Sequence, residues 1–79
     1  MFDVISPLPG IFHSRPGPGK DPFVQPGDLI EAGVAIGIIE VMKQFTEICS
    51  DVAGTVISIN VADGDSVMPG VVLAVIEEA

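Results

Sequence analysis

Two stretches of this chain are copies of one another. Val24–Glu40 reads VQPGDLIEAGVAIGIIE and Val61–Glu77 reads VADGDSVMPGVVLAVIE, an offset of 37 at which seven of 17 positions are identical. Conservative matches at Ile30/Val67, Ile36/Leu73 and Ile38/Val75 strengthen the alignment. Two copies are too few for a solenoid, so the natural reading is a two-fold duplication inside one compact unit. Whatever one copy folds into, its partner must fold into as well.

Each copy carries its own turn chemistry. Gly27-Asp28 and Gly64-Asp65 mark a first turn, where glycine supplies a positive φ without steric cost. A second turn follows at Gly33 or Gly70, and then an alternating apolar run, Val34-Ile36-Ile38 or Val71-Leu73-Val75. Alternation of this kind is the mark of a half-buried strand. Composition agrees: 21 residues are Val or Ile, and 9 Gly with 7 Pro punctuate the chain. The expectation is an all-β fold of many short strands in a single domain, residues 1–79.

One segment argues locally for something else. Val41, Phe45, Ile48 and Val52 fall on a helical stripe and would give a three-turn helix. The second copy reaches Ala79 with no room for a long helix, so symmetry reads Ala35–Glu40 as strand. The stripe then becomes strand, turn and strand, with Met42-Lys43 at the tip of a hairpin and Phe45–Cys49 returning. The symmetry mate of Lys43 would be position 80. The hairpin is therefore expected at one end of the domain and the termini at the other.

The repeat also extends backwards. Pro9-Gly10-Ile11-Phe12 resembles Ala53-Gly54-Thr55-Val56 at an offset of 44, so the first half holds seven extra residues between His13 and Phe23. That stretch reads HSRPGPGKDPF, and its Pro-Gly-Pro-Gly core cannot make a helix or a central strand. It reads as an exposed loop grafted onto one half, serving either function or nothing beyond a tolerated insertion.

Charge and rare residues narrow the function classes. Three Lys and Arg stand against 11 Asp and Glu, a formal charge of −8. That balance argues against nucleic acid and against anionic membrane surfaces. No transmembrane run or targeting segment is visible, and a cytoplasmic location is expected. One cysteine rules out a disulfide framework, and one histidine removes most hydrolytic triads and metal cages. Cys49 reads as a small buried hydrophobe, and His13 as a loop-edge residue with no partner that can be placed near Cys49. Asp63-Gly64-Asp65 lacks the remaining ligands of a calcium loop and reads as turn chemistry. Lys43 is different. Lysine is scarce, and this one sits at the turn that the duplication singles out, beside an exposed Met42. A solvated amine on a hairpin tip is open to acylation; the plainer account is a solubilising lysine.

Glu40-Val41-Met42-Lys43 resembles the Glu-Ala-Met-Lys signature of biotinyl domains. Ser6-Pro7 with Gly10-Ile11-Phe12, Val24 to Asp28, and Glu47-Ile48 with Gly54-Thr55-Val56 extend the likeness over nearly the whole chain. The sequence is similar to the biotinyl domains of biotin carboxyl carrier proteins, of the bacterial acetyl-CoA carboxylase type. The resemblance implies a flattened barrel-sandwich hybrid of two pseudo-symmetric four-stranded halves. It implies biotin, joined covalently to Lys43 by biotin protein ligase, with Glu40, Val41, Met42 and Gln44 forming the hairpin that the ligase recognises. It implies a thumb-like loop at Arg15, Pro16, Gly17, Pro18, Gly19 and Lys20. The partners would be biotin carboxylase and a carboxyltransferase, the domain itself performing no catalysis. Val41 and Gln44 depart from the commoner Ala and Met or Leu. The family's Ala/Pro-rich linker is not in the sequence, which fits either a stand-alone carrier or an excised domain. A lipoyl-type acyl carrier, whose hairpin reads Asp-Lys-Ala, and an unmodified interaction module remain the rivals.

A carrier of charge −8 should be drawn to basic docking surfaces. The rate at which a partner carboxylase uses it is expected to fall as salt is added, with the partner's activity on free biotin as control; a salt-independent rate would sink the idea.

Overall fold

The turn and strand signals of both copies are realised in the computed structural model, which describes residues 1–17 and 19–79. Eight strands run in chain order: β1 (Phe2–Ile5), β2 (Gly10–His13), β3 (Leu29–Ile30), β4 (Ala35–Val41), β5 (Gln44–Cys49), β6 (Gly54–Ile59), β7 (Ser66–Val67) and β8 (Val72–Glu78). They form two four-stranded antiparallel sheets, one in the order β1-β8-β6-β3 and the other β5-β4-β2-β7. Advancing each strand of the first order by half the chain gives the second. The duplication therefore exchanges the two sheets, and each half contributes two strands to each sheet. The extents, 35 × 28 × 18 Å, are those of a flattened sandwich.

The hydrogen bonds repeat with the sequence. Gly27 N–H donates to Val56 O and Val56 N–H to Asp28 O; Gly64 N–H donates to Phe12 O and Phe12 N–H to Asp65 O. Both turn glycines have positive φ, 95° and 90°. The Asp28 carboxylate accepts from Gln25 N–H and that of Asp65 from Ala62 N–H, each at 2.9 Å. Ser6 and Ser50, the two buried polar residues, are also mates. Each donates its hydroxyl to the carbonyl two residues ahead, at 2.6 and 2.7 Å. Those bonds offset the cost of burying a hydroxyl. Even the register shift of β1 against β8, at Ile5↔Val72, has its mate in β4 against β5, at Ala35↔Cys49.

The region 41–52 is strand and turn, as the duplication requires, not helix. Of the helical stripe only Ile48 is buried among the core residues; Phe45 is 64% exposed. Periodicity failed there because β5 is an edge strand whose first four residues all lie exposed.

Ten of the twelve core residues are mated pairs: Val4/Ile48, Phe12/Val56, Ile30/Val67, Ile36/Leu73 and Ile39/Ile76; the other two are Val24 and Ala74. One mate pair differs greatly in size, and a second compensates. Phe12 packs on Gly37, where a Cβ would run into the Phe12 ring; in the other half the smaller Val56 accompanies Ala74, the mate of Gly37. Close packing forces such trades.

Gly37→Ala is expected to cost about 1–3 kcal/mol by overpacking, and Phe12→Val about 1–3 kcal/mol by leaving a cavity. The double variant should lose less than the sum by about 1 kcal/mol or more, read from urea unfolding. The rescue should be incomplete, because the His13 carbonyl also crowds position 37. Simple additivity would refute the compensation.

Candidate functional site

The lysine hairpin is the tightest kind. Val41 pairs with Gln44, leaving Met42 and Lys43 as a two-residue turn with φ of 50° and 66°. Two successive positive φ values match the type I′ turn, whose twist suits an antiparallel pair but which ordinarily takes Asn-Gly. Left-handed backbone costs an L-residue roughly 1–2 kcal/mol, so this turn holds two residues in a conformation they disfavour. Its side chains gain no burial in return: Met42 is 92% exposed, and Lys43 is exposed as well. Leu8, Pro9, Val41, Met42, Gln44 and Thr46 line a shallow groove beside the turn and carry no charge.

The inserted loop is a closed and anchored structure. Its neck is shut by Phe23 N–H donating to Ser14 O at 2.9 Å, and Arg15 Nη1 donates to Lys20 O at 2.7 Å across it. Ser14 N–H donates to Asp63 Oδ1 at 2.8 Å, tying the loop to the segment before β7. Asp63 is thus more than a turn former. The turn bond belongs to Asp65, and the mate of Asp63 in the first half is Pro26, which could not replace it.

The loop faces the outer surface of the β5-β4-β2-β7 sheet. Between them lies a cavity of about 470 Å³ lined by His13, Arg15, Pro16, Gly17, Ile38, Phe45 and Asp63. On the same face His13 Nε2 lies 2.8 Å from Glu40 Oε1, and its ring sits 6.4 Å from that of Phe45 at 49°. His13–Glu40 is the one close contact between a basic side chain and a carboxylate among the described residues.

The expected site residues fall into two groups. Met42, Lys43 and Gln44 are exposed at or beside the turn, while Glu40 and Val41 are half-buried where β4 ends. Arg15, Pro16 and Gly17 line the cavity; Gly19 and Lys20 do not, and Pro18 lies outside the described residues. His13 is the last residue of β2, at the loop's edge, and has a carboxylate partner in Glu40. Strand alternation could have placed His13 and Glu40 facing outward, opposite Phe12 and Ile39, but only the β2–β4 register sets them side by side. Phe45, Ile38 and Asp63 were likewise invisible without that register. Cys49 is half-buried rather than buried, and burial together with the Glu47 carboxylate raises its thiol above the usual cysteine range. That leaves little thiolate at neutral pH and no basis for a nucleophile.

The family model described as "Biotin-requiring enzyme", of biotin and lipoyl domains, matches residues 3–76. The chain belongs to this family. It is 46% identical over 67 residues to the biotin carboxyl carrier protein of acetyl-CoA carboxylase from Nostoc sp., covering 85% of this chain and 37% of that protein. The corresponding protein of Porphyra purpurea is 39% identical over 74 residues, covering 94% of this chain and 47% of the relative. The chain thus spans less than half the length of these relatives. Among solved structures, the urea carboxylase of Kluyveromyces lactis matches with a TM-score of 0.79 at 32% identity, over 96% of this chain and 6% of that one.

Met42→Gly is expected to relieve left-handed strain and, after the extra chain entropy of glycine, to raise unfolding stability by about 0.5–1 kcal/mol. A lower urea midpoint in Met42→Gly would show that the turn is held by contacts of the Met42 side chain instead.

Proposed function

We propose that this domain is the biotin carboxyl carrier of a biotin-dependent carboxylase, of the acetyl-CoA carboxylase type, with Lys43 as the attachment residue. The observation that carries the reading is the placement of one exposed amine at the apex of a strained two-residue turn, in a family of biotin and lipoyl domains.

The residues fit the group. The Lys43 amine stands clear of the sheets on a turn whose flanking groove is uncharged. An incoming ligase can surround such a turn without having to remove a competing ion pair. Edge strand β5 and the end of β4 fix the turn's direction through their ladder, from Ala35↔Cys49 to Val41↔Gln44. Beside it, the cavity under the loop is in the size range of small-molecule sites and mixes the apolar Ile38, Phe45 and Pro16 with polar groups of His13, Arg15 and Asp63. We assign this cavity as the resting place of the cofactor's ring system between visits to partner enzymes. Bound biotin supplies a ureido nitrogen that accepts and gives up a carboxyl group; that chemistry is the cofactor's. The domain's part is placement. It holds the arm on a rigid hairpin, so that each partner meets the cofactor at high effective concentration.

The partners follow from this reading: biotin protein ligase to load Lys43, biotin carboxylase to charge the arm, and a carboxyltransferase to discharge it. No helix among the described residues is long and apolar enough to cross a membrane. The carrier is assigned to the cytoplasm or an equivalent compartment holding those enzymes. The Met42-Lys43-Gln44 turn disfavours the lipoyl alternative, whose hairpin reads Asp-Lys-Ala.

Coexpression with an active biotin protein ligase should add one biotinyl increment to the intact mass, mapped to the Lys43 peptide. Lys43→Arg should take none and unfold within about 0.5 kcal/mol of the parent, as expected of an exposed substitution. An increment on Lys20, or a biotinylated Lys43→Arg chain, would move the site elsewhere.

A further inference from the structure

Glu40 is the carboxylate nearest in sequence to Lys43, and its position is controlled. On the outer sheet face Glu40 is level with Ile11 and Phe45, while His13 is level with Ile38, one step farther from the turn. The 2.8 Å bond to His13 Nε2 therefore draws the Glu40 carboxylate along the sheet and away from the hairpin tip. The mate of His13 in the other half is Ile57, and Glu77, the mate of Glu40, lies exposed with no such partner. The pair thus occurs only in the half that carries the lysine.

We propose that His13 is a positioning residue that keeps the Glu40 carboxylate off the Lys43 amine, leaving the amine free to be acylated. The inference rests on Lys43 being the attachment residue. Its chemistry is simple. Only the neutral amine attacks an activated carboxyl carbon, and a carboxylate close to an ammonium favours the protonated form. A lysine side chain on a two-residue turn is long enough to meet a glutamate on the flanking strand, and His13 competes for that glutamate. The other charged groups on this face are otherwise placed. Asp63 accepts from Ser14, Arg15 donates to the Lys20 carbonyl, and Glu47 stands level with His13 on the far side of Ile38, no nearer the tip. The residues lining the groove beside the turn are uncharged.

The test uses a small acylating ester, so that recognition by the ligase plays no part. With sulfo-N-hydroxysuccinimidyl acetate, Lys43 Nζ attacks the ester carbonyl and a C–N bond forms. The C–O bond breaks, N-hydroxysulfosuccinimide leaves as its anion, and the amine proton passes to water. The chain has only two lysines, so the Lys43-to-Lys20 acetylation ratio, read by peptide mapping, is internally controlled. His13→Ala is expected to slow Lys43 about two- to fivefold at neutral pH, the effect of one solvent-screened charge at close range. It should also displace the acylation–pH profile to more alkaline pH. Adding Glu40→Gln to His13→Ala should restore the parental ratio and profile, which a merely structural role for His13 would not do. An unchanged ratio in His13→Ala, or a slow ratio that persists in the double variant, would overturn the proposal. A parent chain that takes no biotin from an active ligase would overturn the carrier reading itself, a result separate from the acetylation ratio.

Discussion

Phe12 packs on Gly37 in one half of the domain, while the other half buries Val56 and Ala74 at the mated positions, and on this point the two halves are built on unequal terms. A chain of 79 residues has little core to spare. It builds most of that core by using a position twice, once from each copy of the repeat. Exact duplication is not required; a constant filled volume is. A large ring against a missing side chain in one half is matched by two medium side chains in the other. The exchange of strands between sheets makes this compulsory, because neither half can close a sheet with its own four strands.

The hydrogen-bonding scaffold is equally duplicated, and it is conservative where the core is flexible. Gly27 and Gly64, Asp28 and Asp65, and Ser6 and Ser50 make the same bonds in each half. Most of these are backbone groups at the ends of short strands, which would otherwise be left unpaired. A substitution among them has no compensating partner of the kind that Gly37 has in Phe12.

The proposed site sits where the mates stop matching. Phe45 has Met1 as its counterpart, Asp63 has Pro26 and His13 has Ile57. In the second half β6 bulges at Ile57 and continues pairing to Ile59; in the first, β2 ends at His13 and the inserted loop departs. The insertion departs where the pairing of β2 stops and roofs the cavity over the sheet face beneath. Asp63, from the opposite half, then anchors it. The site is thus assembled from both copies, although the lysine and the loop belong to the first half and its hairpin.

The repeat pointed to an all-β fold of short strands and to the hairpin at Met42-Lys43, because matched turns at matched spacing leave a chain few ways to fold; the two four-stranded halves came from the family resemblance. The repeat also argued against the helical stripe, which local periodicity favoured and which an exposed edge strand explains. The motif around Lys43 singled out the residue proposed for attachment, since that chemistry depends on one exposed amine and its immediate neighbours. The cavity, the His13–Glu40 pair and the anchoring of the loop by Asp63 came only with the tertiary structure. The pair and the anchor join residues 27 and 49 positions apart in the chain, and side-chain alternation fixes a residue's face but not its neighbour across the sheet. Register decides that neighbour, and register is set by turns and bulges acting together over the whole domain.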